Sequence, residues 1–279
     1  MASWVKKIIV VILVLVFLFS TGSILMTMYE YGEIDRNYAD AAKQFVQMAE
    51  PSANSSGIGH VSDQQNPTGV DPSGEDDEQD NVAPMVVDFD ALKAVNPEIV
   101  GWIFCEGTVI NYPLLQTTDN DTYLNHMYDG TYNKAGAIFV DAFNRPNFQD
   151  ANTIIYGHNM RSDAMFGTLE SWGEQDFYEQ HPVFWVVTPE QDYRIDVLGA
   201  YETSALSDTY AIFTDVGWEL DAYLANVLTH SVIDAHAEPE EGAHYVLLST
   251  CSYSYSNARF VIHGKLVPVD SAGGIPKNS

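Results

Sequence analysis

The chain has 279 residues, 46% hydrophobic and 12% aromatic, enough for the core of one large domain or two small ones. Its 12 basic residues stand against 39 acidic ones, a net charge of -27, which argues against a nucleic-acid partner because phosphate binding needs clustered Lys and Arg. Two cysteines, Cys105 and Cys251, are too few for a disulfide framework.

Lys6 and Lys7 precede Ile8 to Tyr29, 22 residues without a charge, and Ile8 to Phe19 are all apolar. A helix of that length spans about 30 Å, the hydrocarbon thickness of a bilayer. A cleaved signal peptide is the competing reading, because Ser20-Thr21-Gly22-Ser23 follows a 12-residue apolar core. An anchor is preferred: apolar residues resume at Ile24-Leu25-Met26, and no A-x-A site follows. Residues 1–7 are then a cytoplasmic N-terminus and 8–29 a transmembrane anchor in the lipid bilayer. The lysines on one side, with Glu30, Glu33 and Asp35 on the other, place the rest of the chain outside the cell.

Tyr38, Ala41, Ala42, Phe45, Met48 and Ala49 fall at helical spacing, so residues 30–50 read as a juxtamembrane helix or stalk. Residues 51–84 have no aromatic residue and no Lys or Arg, and Asp71 to Asp80 carries six acids in ten positions. Such a stretch is too polar to fold and reads as a disordered acidic linker, spanning roughly 30–35 Å on average. It lacks the spacing of a calcium loop.

Residues 85–270 read as the folded domain and 271–279 as a tail. Asp90 to Pro97 suggests a short helix stopped by the proline. Val100–Phe104 and Val109–Leu115 form a strand pair around Glu106-Gly107. Asp119–Met127 reads as a helical turn, Gly136–Val140 and Thr153–Tyr156 as strands, and Ala164–Trp172 as a short helix. Val183–Thr188 and Tyr193–Tyr201 make a hairpin turning at Pro189 to Asp192. Glu219–Val232 is the clearest helix, with Leu220, Tyr223, Leu224, Val227 and Leu228 in one stripe that reads as core. Tyr245–Leu248 and Phe260–Val267 are two more strands joined by a polar turn. Many short strands with few helices point to a mainly β fold, a barrel or sandwich.

That last hairpin sets Cys251 at a strand end and Arg259 where its neighbour begins. A cation beside a thiol lowers its pKa, and a guanidinium can hold a developing oxyanion. Cys105, in the apolar run Val100 to Phe104 and beyond, reads instead as a buried thiol. A thiol enzyme needs a base or ion-pair partner, usually His, and eight histidines are present. His60 lies in the linker, and His126, His181, His230, His236 and His244 have no distinguishing context. His158, just beyond a strand and next to Gly157, and His263, four residues after Arg259 and on its face, remain the two candidates.

Leu248-Ser249-Thr250-Cys251 and Arg259 resemble the active-site hairpin of the sortases, thiol transpeptidases of Gram-positive surfaces, with Leu247 where their T-L-x-T-C signature has Thr. Asn152 to Met160, containing His158, resembles the histidine motif of class B sortases. Gly101-Trp-Ile, Gly107 to Gln116, Asp119 to Leu124 and Gly136 to Asp141 resemble other segments of the family in its order. The resemblance implies a closed β-barrel of about eight strands with short peripheral helices, the Glu219–Val232 helix lying between the sixth and seventh strands. It implies Cys251, His158 and Arg259 as the catalytic residues, and Asn120, Leu124, Ser249 and Thr250 along the substrate groove. No metal and no cofactor is expected; no Cys/His cluster has zinc spacing. The implied partners are secreted proteins with a C-terminal sorting motif, of the N-P-x-T type, and a peptidoglycan amine. Two alternatives stand beside this reading: a thiol peptidase that hydrolyses the same thioester, and a non-catalytic surface-binding β-domain with Cys251 buried or bridged to Cys105.

Overall fold

Residues 3–45 contain no proline and form one helix, α1 (Ser3–Phe45), in a computed structural model that describes residues 3–49 and 81–272. The chain divides into two units, Met1–Ala42 and Lys43–Ser279. In the first, every apolar side chain from Ile8 to Phe19 is at least 41% exposed, which water does not tolerate over so long a run. The helix is long and apolar enough to cross a bilayer by length and composition.

The helix expected over residues 30–50 ends at Phe45. Val46–Met48 forms strand β1, which pairs antiparallel with β2 (Met85–Val87). The partner decides the conformation here: Asp88 N–H donates to Phe45 O and Ala49 N–H to Pro84 O, at 2.9 and 2.7 Å, bonds that a continued helix would forgo. Most of the expected linker lies outside the described residues. Its last residues do not: Ala83 N–H donates to Asp270 O, and Asp270 N–H to Asn81 O, both at 2.9 Å. Helix α2 (Phe89–Val95) starts on Asp88, whose carboxylate accepts from Ala91 N–H at 2.9 Å, and it stops before Asn96-Pro97.

The remaining strands are β3 (Ile99–Phe104), β4 (Asn111–Leu115), β5 (Ile138–Val140), β6 (Asn152–Tyr156), β7 (Val183–Val187), β8 (Asp192–Ser204), β9 (His244–Cys251) and β10 (Ala258–Val269). They close into an eight-stranded barrel in the order β10-β8-β7-β3-β4-β5-β6-β9, β9 pairing back to β10. The pairs β4–β5 and β6–β9 are parallel and the rest antiparallel. The expected β-barrel is therefore present. Closure leaves none of its strands with a free edge.

The helical expectations fare less well. Asp119–Met127 contributes one 3₁₀ turn, Thr122–Leu124. Ala164–Trp172 is helical only from Leu169, because Asp163 and Met165 take positive φ of 65° and 57°, which no right-handed helix admits. A short helix α3 (Gln175–Gln180), not expected from sequence, follows it. Helix α4 (Trp218–His230) lies between the sixth and seventh barrel strands. Its stripe is narrower than expected. Leu220 and Leu224 pack with Ala151, Leu198 and Tyr245, and Val227 with Ile154, Tyr201, Leu247 and Val261, while Leu228 is exposed. A Cβ on Gly199 of β8 would come within 3.1 Å of Ser231, just past the helix. Hydrogen at that position is what lets α4 approach the barrel so closely.

His263 belongs to this packed face. It is buried, its ring stacked on Tyr201 at 5.3 Å, with Nδ1 3.4 Å from Tyr223 Oη and Nε2 3.1 Å from Tyr201 Oη. The single hydroxyl proton of Tyr223 goes to Thr209 O, so Tyr223 Oη accepts from Nδ1–H and Tyr201 donates to Nε2. The neutral ring is thus satisfied, and burial pushes the His263 pKa down to about 3. Unfolding frees the ring to take a proton below pH ~6.5, so His263 stabilises the fold above that pH and the contribution is lost as pH falls toward 3. Urea unfolding at pH 7.5 and pH 5 should show the wild type losing roughly 2 kcal/mol over the interval, and His263→Gln losing much less.

Candidate active site

Strand register brings the expected residues together. On β9, Cys251 is directly opposite Arg259 of β10, and Arg259 is opposite Thr203 of β8. On the other side, β6 runs parallel to β9 with Tyr156 beside Ser249, and Gly157 N–H donates to Ser249 O at 3.1 Å. His158 is two residues past Tyr156 and Cys251 two past Ser249, so both lie one pleat repeat beyond the same rung. Cys251 and Arg259 are therefore cross-strand neighbours at one end of the barrel, and His158 follows the end of the third strand, β6, by two residues. Strands sit about 4.8 Å apart, and directly opposed side chains about 5 Å apart.

The face is the outer one. Ile154, Leu247, Val261 and Tyr201, which share it by alternation, carry α4 and the segment before it. Cys251, His158 and Arg259 are each half-buried where that cover ends. His158 Nε2 lies 2.6 Å from Leu124 O; a carbonyl only accepts, so Nε2 carries the proton and Nδ1 is left for chemistry. Arg259 Nη1 donates to Ala258 O at 2.9 Å. His263, the other candidate histidine, lies further along the same face beyond Arg259, but it is sealed beneath α4, without access to a substrate.

The four residues expected along the groove divide. Leu124 is exposed and presents its carbonyl to His158. Asn120 is committed to the scaffold: its Nδ2 donates to Asp141 Oδ2 at 3.0 Å and its Oδ1 accepts from Ala142 N–H at 2.8 Å. Ser249 is buried and its hydroxyl shares a 2.8 Å bond with Tyr210. Thr250 is buried too, pointing to the face opposite Cys251. Leu124 is thus the exposed one of the four, and the Ser249 and Thr250 side chains are buried.

Sequence reasoning missed several residues. Tyr210 stacks on Tyr156 at 6.4 Å, and burial pushes its phenol up to about 12, against the opposing effects of the Ser249 hydrogen bond and the Arg259 guanidinium. Tyr156 in turn donates to the buried Asp141 at 2.8 Å. Glu202 accepts from Ser252 and Ser254, at 2.8 and 2.5 Å, and holds the loop that follows Cys251. Asn159 Nδ2 donates to Cys251 O at 2.7 Å. Asn159 and Tyr156 lie within the segment around His158 and Asp141 closes the Gly136–Asp141 segment, while Tyr210 and Glu202 sit outside any segment the sequence singled out.

The two cysteines have separate environments. Cys105 is buried, its Sγ 3.4 Å from Val183 O, and burial pushes its pKa up to about 12. Cys251 is half-buried, and no disulfide joins the two. Among the described residues no group of His, Cys, Asp and Glu gathers to hold a metal ion. Thiol titration of the native chain should modify one cysteine, identified by mass spectrometry as Cys251, and denaturation should expose the second.

Comparison with known proteins adds the following. The family model for the sortase domain matches residues 105–267. A sortase B of Listeria monocytogenes is 38% identical over 180 residues, 63% of this chain and 72% of the relative. Among solved structures, a Staphylococcus aureus sortase B–substrate complex superposes with a TM-score of 0.62 at 32% identity, covering 65% of this chain and 85% of that one. A sortase B complexed with triglycine superposes with a TM-score of 0.61 at 31% identity, over 65% and 86% of the two chains.

Proposed function

The chain belongs to the sortase family, and on that premise we propose that it is a membrane-anchored cysteine transpeptidase of the class B type. The observation that carries the proposal is the rung on which Cys251 faces Arg259, with His158 two residues past the end of the adjoining strand. The similarity to class B relatives supports a sorting motif of the N-P-x-T type in secreted proteins.

Cys251 passes its thiol proton to His158 Nδ1, and its Sγ attacks the carbonyl carbon of the motif's Thr, forming a C–S bond and a tetrahedral oxyanion. The Arg259 guanidinium, opposite the thiol, donates to that oxygen or to the substrate backbone. His158 gives a proton to the leaving amine as the C–N bond breaks, and a thioester remains on Cys251. An incoming amine then attacks the thioester, loses its proton to His158, and releases the thiolate. Leu124 is the residue placed to meet the motif's side chains. Asn120, Ser249 and Thr250 act from behind, by holding Asp141, Tyr210 and the strand that carries Cys251.

The acceptor is an amine of the cell wall, a reading supported by the triglycine complex of a relative. The apolar part of α1 is the anchor, with the N-terminal lysines in the cytoplasm and residues 85–270 outside as the catalytic domain.

The test uses the full chain in detergent with peptides bearing N-P-x-T-[G/N] or L-P-x-T-G, with and without triglycine, read by mass spectrometry. The expected result is a transfer product with the first motif. Cys251→Ala should abolish the acyl-enzyme, His158→Ala should slow acylation about 10²–10⁴-fold, and Arg259→Ala about 10²–10³-fold. Hydrolysis without transfer would favour a thiol peptidase. An acyl-enzyme formed at wild-type rate by either of the first two variants would remove their assigned roles, and none with any peptide would favour a surface-binding domain.

A further inference from the structure

We propose that Asn159 is a positioning residue for the acylation step, acting through Cys251; the inference rests on the transpeptidase reading. The β6–β9 ladder ends where Gly157 N–H donates to Ser249 O. Beyond that bond the chain of β6 leaves the sheet, with Phe166 N–H donating to His158 O at 3.0 Å and Asn159 bridging Met165. No ladder bond is left to hold the His158 turn against the end of β9. Two groups that exchange a proton through a substrate must nevertheless stay within hydrogen-bond reach of it.

The Asn159 side chain makes the missing tie. Its Nδ2 donates to Cys251 O at 2.7 Å and to Glu170 Oε1 at 3.3 Å, while its own backbone carbonyl accepts from Tyr253 Oη at 3.1 Å. A carbonyl and a carboxylate both accept only, so the amide nitrogen is needed for both contacts, and Glu170 fixes which way the amide faces. One residue thus joins the histidine turn, the cysteine strand and the loop after the cysteine. Its neighbour in sequence is His158, so a shift of Asn159 is passed directly to the imidazole.

Asn159→Asp keeps the shape but sets a carboxylate against two acceptors. In the full chain in detergent, kcat for acyl-enzyme formation should fall roughly 10–100-fold in this variant and in Asn159→Ala, with KM changed less than about twofold. Protonation of the introduced carboxyl restores a donor, so the activity of Asn159→Asp relative to wild type should rise as pH falls from 7.5 to 5. Adding Glu170→Gln removes the like charge and should move that rise to lower pH. Alkylation of Cys251 by iodoacetamide should slow in Asn159→Ala, a readout that needs no transpeptidase activity. An inactive wild type would therefore sink the functional reading and leave the tie testable by alkylation alone. The proposal is overturned if both variants keep kcat within twofold. It is equally overturned if kcat loss follows a drop in Tm with no pH-dependent recovery, which marks a merely structural bond.

Discussion

The pairing of β9 between β6 and β10 is the constraint on which the rest depends. Side chains alternate across a strand, so a slip of one residue on either side would turn Cys251 into the barrel and Thr250 out of it. An open sheet can relieve strain at its edge. A closed barrel cannot, because every strand is held from both sides. The alternating core side chains of β9 and β10 reinforce this register: Val246 and Leu248 face inward, and Leu247 faces the helix side. The position of a reactive thiol is thus set by hydrophobic burial along a whole hairpin.

The same rungs also decide what covers the outer face. Moving down the sheet from the Cys251 rung, the next carries Tyr156, Ser249, Val261 and Tyr201, and the one below Ile154, Leu247, His263 and Gly199. Side chains on the lower rungs are apolar or fully hydrogen-bonded, and α4 seals them. Gly199 admits the end of that helix to the sheet. The cover stops at Tyr210, whose hydroxyl reaches Ser249 and whose ring stacks on Tyr156. One continuous face is therefore core at one end and reactive surface at the other.

Elements whose pattern is local were legible in the sequence. The strands on either side of Cys251, the hairpin of β7 and β8, and α4 all follow from runs of β-branched and apolar residues at period 2 or 3.6. What failed depended on a distant partner. Met48 and Ala49 fit a helix until β2 offers backbone bonds, and Met165 fits one until its N–H meets Tyr112 Oη at 3.1 Å. Local sequence leaned toward His158 over His263 without separating them, because burial is fixed by what packs above a residue. The family resemblance separated them before the structure did.

That last pair shows how the fold assigns chemistry. His158 and His263 are the same group on adjoining parts of one face, as Cys105 and Cys251 are the same group at two strand ends. Desolvation holds His263 neutral and Cys105 protonated, since neither buried site stabilises a charge. His158 and Cys251 stand where the cover of α4 ends, with water on one side and a guanidinium nearby. A mechanism that needs an ionised thiol and an imidazole that gains and loses a proton can operate only there. On the proposed mechanism, the fold selects its reactive pair less by adding special residues than by burying the duplicates.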